Sequence, residues 1–238
     1  MGDHRTSPGL PGSSVPSPTP RSTVTLQAQL LVLAKEPLPG RAKTRLTPAL
    51  TPEAAAEVAR ACLLDTLAAV AQVDVLRATV VLDGSPAGWL PDGLHVLPQR
   101  TGELGDRLDG AFADAARELA VPSLLIGMDT PQVGPDLLRD AVELLLRSGR
   151  PVLGAAEDGG WWALGLPQPL PGAFDGVPMS TARAGEAQRE RLTALGRPPL
   201  DLPVLRDVDL LDDLLAVAGL TPPGGAVAAA VARLAPVA

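Results

Sequence analysis

The chain has 238 residues, enough for one α/β domain or two small ones, and 46% of them are hydrophobic, so a sizeable core can form. No run of eighteen apolar residues indicates a membrane span. The net charge of −7 and the pI near 4.8 argue against a broad phosphate-backbone partner such as a nucleic acid, yet they are compatible with a local cationic site for one small anion.

The first 26 residues are rich in Pro, Ser, Thr and Gly and contain no apolar segment. This composition predicts a disordered N-terminal tail over residues 1–26 and not a secretory signal, so we expect a cytoplasmic protein. Cys62 is the single cysteine, which rules out an intrachain disulfide and a cysteine-based metal cluster. Its apolar helical neighbours predict a buried side chain.

From residue 27 to 238, strand and helix patterns alternate without a repeat or a linker. Strands are predicted at 29–34, 76–83, 94–99, 122–129, 151–158, 161–166 and 203–209, and helices at 51–72, 102–120, 134–149, 180–196, 210–219 and 226–238. This order predicts one α/β domain over residues 27–238, with a doubly wound, mostly parallel, Rossmann-like sheet and helices on both faces. Ligands of such folds bind at the carboxyl ends of the strands.

The loop after the first predicted strand, "AKEPLPGRAKTRL", contains both lysines of the chain. Its four cations are Lys35, Arg41, Lys43 and Arg45. It is not a Walker A loop, because Pro37 and Ala42 stand where that motif requires glycine, and Gly40 alone cannot make a dinucleotide fingerprint. Clustered cations favour a di- or triphosphate ligand, although a solvated basic loop is an open alternative.

Acidic residues follow two of the later strands. Asp129 comes directly after the strand in "LLIGMDTPQ", and Asp207 and Asp209 end the strand in "PVLRDVD". Carboxylates at a sheet edge suit a divalent cation such as Mg²⁺. The alternatives are a turn or helix cap at Asp129 and a cap of the following helix at Asp209.

The segment "AAEDGGWW" places two carboxylates and two indoles around a glycine pair. Glu157 and Asp158 could accept hydrogen bonds from sugar hydroxyls, and an indole could stack on a sugar face. An ordinary hairpin turn at Gly159 and Gly160, with the tryptophans in the core and at the edge, is the alternative.

Four blocks together resemble a known family: "AKEPLPGRAKTRL", "QRTGELGDRL", "LLIGMDTPQ" and "LGAAEDGGWWALGL". The chain is similar over about residues 27–215 to GT-A-type nucleotide-diphospho-sugar transferases, specifically the bacterial radical-SAM/selenodomain-associated glycosyltransferase-like family. The later blocks "FDGVPMST" and "DVDLLDDL" agree in order and spacing. Two features depart from the pattern: a Tyr is expected where Trp161 and Trp162 stand, and a single Asp129 replaces a D-x-D pair.

The resemblance implies a glycosyltransferase with the GT-A fold that uses a nucleotide-sugar donor, a small-molecule acceptor and Mg²⁺ or Mn²⁺. It implies nucleotide-binding roles for Lys35, Gly40, Arg41, Lys43, Arg45, Gln99, Gly102, Gly105 and Arg107. It implies metal ligation by Asp129 and Asp209, catalytic roles for Asp158 and Lys43, and sugar or acceptor contacts from Glu157, Asp158, Gly159, Gly160 and Trp161.

The opening block also resembles phospholactate guanylyltransferases, and molybdenum-cofactor guanylyltransferases share the wider fold. Two alternatives therefore stay open: transfer of a nucleotidyl group to a phosphorylated small molecule, and an inert nucleotide-binding homologue. The apolar C-terminal segment could pack on the domain or on a second copy, so a homodimer also stays open.

Overall fold

A computed structural model describes residues 24–47, 49–86 and 88–234. The prediction of a disordered tail concerns residues that lie outside this range, apart from 24–26. Within it, β1 already begins at Leu26, and the Thr25 hydroxyl bonds the Asp74 carboxylate at 3.0 Å. The first described strand therefore begins one residue before the predicted boundary at residue 27.

Seven strands and six α-helices follow one another in the described residues. The strands are β1 (Leu26–Lys35), β2 (Val75–Asp83), β3 (His95–Pro98), β4 (Ser123–Gly127), β5 (Val152–Ala156), β6 (Trp161–Leu166) and β7 (Leu200–Leu205). The helices are α1 (Pro52–Val70), α2 (Leu104–Glu118), α3 (Pro135–Ser148), α4 (Ala184–Ala194), α5 (Leu211–Ala218) and α6 (Ala226–Leu234). The Thr51 hydroxyl caps α1 by accepting from the Ala54 N–H, and Pro52 opens the helix, as predicted.

All seven strands form one sheet in the order β3-β2-β1-β4-β6-β5-β7. Six are mutually parallel, and β6 is antiparallel to both of its neighbours because a tight hairpin joins it to β5. The predicted mostly parallel, doubly wound α/β sheet is confirmed. The carboxyl ends of the six parallel strands and the amino end of β6 consequently meet at one edge.

Side chains alternate between two cores along each strand. Leu30 and Val32 of β1 pack with α1 and α3 on one face, whereas Leu31 packs with α2 and α4 on the other. A third cluster joins α1 to α5 and α6 and includes Cys62, which is buried as predicted. The sheet is thus covered on both faces, and its carboxyl edge is left for a ligand.

Most elements differ from their predicted bounds by one to three residues at an end, and two of the differences affect the site. The helix predicted from 180 begins at Ala184, since Ser180 has a left-handed φ of 59° and the Gly185 N–H bonds the Gly159 carbonyl of the β5–β6 hairpin at 2.9 Å. The last strand covers Leu200–Leu205 instead of 203–209, so Asp207 and Asp209 lie on the segment beyond it. No helix in the described part of the chain is both long enough and apolar enough to cross a membrane.

Candidate active site

The segments after β4 and β7 are tied together at the carboxyl edge of the sheet. The Val208 N–H donates to the Asp129 carbonyl at 2.9 Å, and the Gln132 side-chain amide donates to the Arg206 carbonyl at 2.7 Å. These bonds bring Asp129 next to Asp207 and Asp209, which are about eighty positions away in sequence. The resulting cluster lies beside the cationic loop that follows β1.

Lys43 is the centre of this cluster. Its ammonium lies 2.5 Å from Asp129 Oδ1 and 3.7 Å from Asp209 Oδ1, and it donates to the Val208 carbonyl. The side chain is 6% exposed, whereas the carboxylates of Asp129 and Asp209 are 44% and 31% exposed. Burial acts to lower the pKa of Lys43, but Asp129 leads a set of negative neighbours that raise it overall, so the ammonium stays charged.

The alternative roles of Asp129 and Asp209 as caps are not the ones observed. The N-cap of α3 is Gly134, without a side-chain cap. At α5, the Asp213 carboxylate caps the helix by accepting from the Leu210 N–H at 2.8 Å. Asp209 is therefore free of that task, and its Oδ2 accepts from Arg45 at 2.7 Å.

A cavity of about 340 Å³ opens beside this cluster. Its polar lining comes from Arg45, Asp129, Asp158, Ser180, Thr181, Asp207 and Asp209, and its apolar lining from Leu33, Leu104, Leu108, Leu125, Trp161, Met179 and Ala184, with Gly127 and Gly160. Four carboxylates thus face the cavity. Arg45 is the one cation among the lining residues, and it is paired with Asp209.

Among the carboxylates that line the cavity, Asp207 has a raised pKa. Burial, together with the charges of Asp129 and Asp158, raises its pKa to about 7. Its Oδ1 is buried and has no hydrogen-bond partner among the described residues. A cation or a hydroxyl in the cavity would satisfy this oxygen.

The β5–β6 hairpin supplies one wall of the cavity. Asp158 Oδ1 accepts from the Gly160 N–H at 2.8 Å, so the carboxylate stabilises the turn while it lines the cavity. Gly159 has a φ of 87°, and a Cβ there would collide with the Ala182 carbonyl, which explains the glycine by close packing. Glu157 pairs with Arg206 at 2.6 Å and is not among the lining residues.

The two tryptophans point to opposite faces of β6. Trp161 is partly exposed and lines the cavity. Trp162 is buried, packs against Gly154 and donates its indole N–H to the Pro203 carbonyl at 2.9 Å. One indole is therefore available to a ligand, and the other holds β5, β6 and the β7 edge together.

Of the predicted nucleotide-binding residues, Arg45 lines the cavity, and Lys43 lies behind the lining in contact with Asp129 and Asp209. The others also lie outside the cavity lining. They are Lys35 at the end of β1, Gly40 at the exposed loop tip, Arg41, Gln99, Gly102, Gly105 and Arg107. The Gln99 amide donates to the Ala34 and Val81 carbonyls at 2.7 and 2.9 Å, so its donors hold strand ends together. Asp83 at the end of β2 pairs with Arg107 at 3.3 Å and approaches Arg41 at 3.8 Å.

Asp83 was not among the predicted site residues, whereas Asp207 was predicted together with Asp209 as a possible metal ligand. A signal for Asp83 was present, because "VVLD" ends a buried strand with a carboxylate just as "IGMD" does. No sequence pattern marks Leu104, Met179 and Thr181 as cavity residues. Their place in the lining depends on how α2 and the segment 177–183 pack.

The predicted metal ligands fit a divalent cation in chemical type. Asp129, Asp207 and Asp209 offer hard carboxylate oxygens, including the unpartnered Asp207 Oδ1. No group of three His, Cys, Asp or Glu side chains in the described part of the chain is arranged to hold a metal as it stands. Mg²⁺ requires only one or two carboxylates when substrate phosphates complete its shell, so these residues suit a cation that arrives with a nucleotide.

Comparison with known proteins places this chain in a family and shows its fold. Residues 56–181 match the DUF2064 family, described as "Uncharacterized protein conserved in bacteria". The chain is 30% identical over 189 residues to the phosphoenolpyruvate guanylyltransferase of Nocardia farcinica (strain IFM 10152), covering 73% of this chain and 78% of that protein.

Among solved structures, the chain is similar to a nucleotide-diphospho-sugar transferase-like protein from Desulfovibrio desulfuricans G20. The TM-score is 0.79 with 24% identity, covering 87% of this chain and 94% of the other. A CMP:2-keto-3-deoxy-manno-octonic acid synthetase complexed with CTP matches with a TM-score of 0.53 and 14% identity, covering 82% of this chain and 98% of the other. These likenesses show a fold that sugar-nucleotide and nucleotidyl transferases share.

Proposed function

The chain belongs to the DUF2064 family, and for this member we propose a glycosyltransferase that takes a sugar from a nucleotide-diphospho-sugar donor. A divalent cation and the loop cations would stabilise the departing diphosphate. One observation carries the proposal: a single cavity is lined by Asp158 and Trp161 and also by Asp129 and Asp209, the two carboxylates that Lys43 pairs with. The proposal joins a phosphate-binding half to a sugar-binding half.

The phosphate half is formed by the loop after β1 and the ends of β4 and β7. Lys43 and Arg45 lie within bonding distance of the carboxylates and would supply positive charge to the diphosphate. Asp129 and Asp209 would hold Mg²⁺ or Mn²⁺, which when bound neutralises charge that develops on the leaving group. Since a diphosphate leaves with several negative charges, this stabilisation is needed whichever sugar is carried.

The sugar half follows from the charge of the cavity. Asp129 and Asp209 are paired with Lys43 and Arg45, so Asp158 and Asp207 are the carboxylates that would disfavour an acceptor carrying phosphate or carboxylate groups. A sugar is uncharged, so its hydroxyls can donate to Asp158 and Asp207 while an apolar sugar face rests on the Trp161 indole. Ser180 and Thr181 add hydroxyls on the same wall.

Asp158 would orient the sugar or take a proton from the attacking hydroxyl. Its Oδ1 is fixed by the Gly160 N–H, so the carboxylate is held in one orientation before a ligand arrives. Pre-organisation of this kind keeps the reacting groups aligned, so no entropy has to be lost to orient the carboxylate when the sugar is transferred. Leu104, Leu108 and Met179 would close the cavity to water that competes with the acceptor.

A second candidate function is nucleotidyl transfer, in which an acceptor attacks the α-phosphorus of a nucleoside triphosphate and pyrophosphate leaves. The 30% identity to a guanylyltransferase favours it. Both reactions would use the same phosphate half. They differ in whether the cavity receives a sugar of the donor or an anionic acceptor.

The test is to incubate the protein with Mg²⁺ and either UDP-, GDP- or ADP-linked sugars or the four nucleoside triphosphates, and to analyse products by chromatography. Glycosyl transfer predicts slow hydrolysis of one nucleotide sugar to its nucleoside diphosphate without acceptor. Nucleotidyl transfer predicts pyrophosphate from a triphosphate only when an acceptor such as phosphoenolpyruvate is added. The second result, with every nucleotide sugar intact, would overturn the proposal.

Asp158→Asn and Glu157→Gln form a matched pair for this assay. Each removes one negative charge from the same hairpin, but Asp158 faces the cavity and Glu157 pairs with Arg206 outside it. We expect Asp158→Asn to lower turnover by about 100-fold, in the range of a lost acid–base group, and Glu157→Gln to change it little. Equal loss in both variants would argue against a role for Asp158 at the sugar.

A further inference from the structure

We propose that Lys43 is a built-in counter-cation of Asp129 and Asp209 that competes with the divalent metal and is drawn off by the donor phosphates. The nucleotide and the metal would then bind together, and the metal alone would bind weakly. This inference rests on the proposed function only in assigning the metal to Asp129 and Asp209.

The position of the Lys43 ammonium is the first argument. It lies 2.5 Å from Asp129 Oδ1 and 3.7 Å from Asp209 Oδ1. Carboxylate oxygens are the ligands that Mg²⁺ takes from a protein, so a metal held by Asp129 and Asp209 would need carboxylates that the ammonium already pairs with. The lysine and the metal would therefore compete for the same negative charge.

The direction from which each cation arrives is the second argument. The Lys43 side chain is buried and reaches the carboxylates from the protein side, where it also donates to the Val208 carbonyl. The carboxylates of Asp129 and Asp209 are partly exposed and line the cavity. A metal therefore approaches from the cavity side and meets carboxylates that the lysine has already neutralised.

The exchange has a physical cost that phosphate can offset. A displaced ammonium in this buried position would lose its strongest partners, which is expensive without replacement. Phosphate oxygens of a donor bound beside the metal would replace them, since lysine is a good point-charge partner for phosphate. Metal and nucleotide would each raise the affinity of the other, as linkage requires.

The backbone at Lys43 fits this role. Its φ of 50° lies in the left-handed region, which is uncommon for a residue other than glycine. The Lys43 side chain is buried, whereas Arg41 and Arg45 of the same loop are exposed. A backbone conformation of this kind persists where surrounding contacts hold the residue in place. Here the contacts are the two carboxylates and the Val208 carbonyl.

The experiment is a titration of nucleotide-free protein with Mn²⁺, with free Mn²⁺ measured by electron paramagnetic resonance. We expect Lys43→Met to bind Mn²⁺ about tenfold more tightly than wild type, within the usual range of coupling between sites. Lys35→Met is the matched control, because it removes the other lysine of the chain, which lies at the end of β1 outside the cavity lining, and it should leave Mn²⁺ affinity unchanged. Lys43→Gln, which can still donate to the Val208 carbonyl, should behave like Lys43→Met and covers the case that Met disturbs folding.

A third variant separates the two proposals. If Asp129→Asn abolishes Mn²⁺ binding but Lys43→Met and Lys43→Gln bind no more tightly than wild type, the competition is refuted and the metal assignment stands. If Asp129→Asn leaves Mn²⁺ binding intact, the metal assignment in the proposed function fails, and the competition fails with it. Tighter binding in both Lys43 variants that is lost on adding Asp129→Asn supports the competition.

Discussion

Removing either partner of the Lys43–Asp129 ion pair should destabilise the protein, but not by the same amount. Asp129→Asn leaves a buried ammonium with the Val208 carbonyl and with Asp209 at 3.7 Å. Lys43→Met removes the buried charge itself and leaves carboxylates that are 44% and 31% exposed and can be hydrated. Asparagine should therefore be the more damaging change.

The magnitudes follow from burial. Breaking a fully buried pair by removing one partner costs about 3–5 kcal/mol, and because Asp129 is partly exposed and Asp209 remains, we expect about 2 kcal/mol for Asp129→Asn. Lys43→Met should cost about 1 kcal/mol or less, as for pairs whose remaining charge is solvated. For a chain of this size, Tm should fall by about 4–8 °C in Asp129→Asn and by at most about 4 °C in Lys43→Met.

The assay is thermal unfolding at low salt and neutral pH, followed by circular dichroism and repeated with urea. Asp213→Asn, which weakens the cap of α5 on the same segment without touching Lys43, controls for loosening of residues 207–213. Equal destabilisation by the two pair variants, or a larger loss from Lys43→Met, would refute the argument that the lysine is the buried member of the pair.

Three further predictions concern the framework around the site. Burial raises the pKa of the Cys62 thiol to about 12, so the thiol should resist thiol reagents at pH 8 in the native protein and react quickly in urea. Its contribution to the free energy of unfolding should fall as pH rises from about 9 to 12, because only the unfolded thiol ionises in that range, and Cys62→Ala should remove this pH dependence. Gly159→Ala should lower stability by about 2 kcal/mol in urea unfolding, since the added Cβ meets the Ala182 carbonyl at a positive φ, and an unchanged midpoint would contradict this packing. Asp65→Ala should cost about 2 kcal/mol and raise amide exchange in α6, because the Asp65 carboxylate accepts from the first two N–H groups of that helix at 2.7 and 2.9 Å; protection of α6 equal to wild type would count against the cap.

Local sequence signals were sufficient for the order and type of the elements. Apolar runs and helix caps such as Thr51 and Pro52 predicted the strands and helices, and alternation predicted a mostly parallel sheet. The start of α4 was missed because it depends on contacts with the β5–β6 hairpin, which sequence spacing does not encode. The antiparallel direction of β6 follows from the short turn at Gly159 and Gly160.

The candidate site was predicted in part. Residues directly after buried strands, such as Asp129, lie where the topology rule placed them. The pairing of Lys43 with Asp129 and Asp209 could not be predicted, because it depends on the bond between the Val208 N–H and the Asp129 carbonyl. Gln99 shows the opposite case: it lies near the predicted edge, but its amide donors hold backbone carbonyls.

The most direct test of the account is calorimetric titration of wild-type protein and Asp129→Asn with nucleotide sugars and nucleoside triphosphates, each with Mg²⁺ and with chelator. The account predicts that one nucleotide sugar binds wild type in a Mg²⁺-dependent manner and that Asp129→Asn loses most of this affinity. Binding of a triphosphate alone, or binding of a nucleotide sugar that needs neither Mg²⁺ nor Asp129, would contradict it.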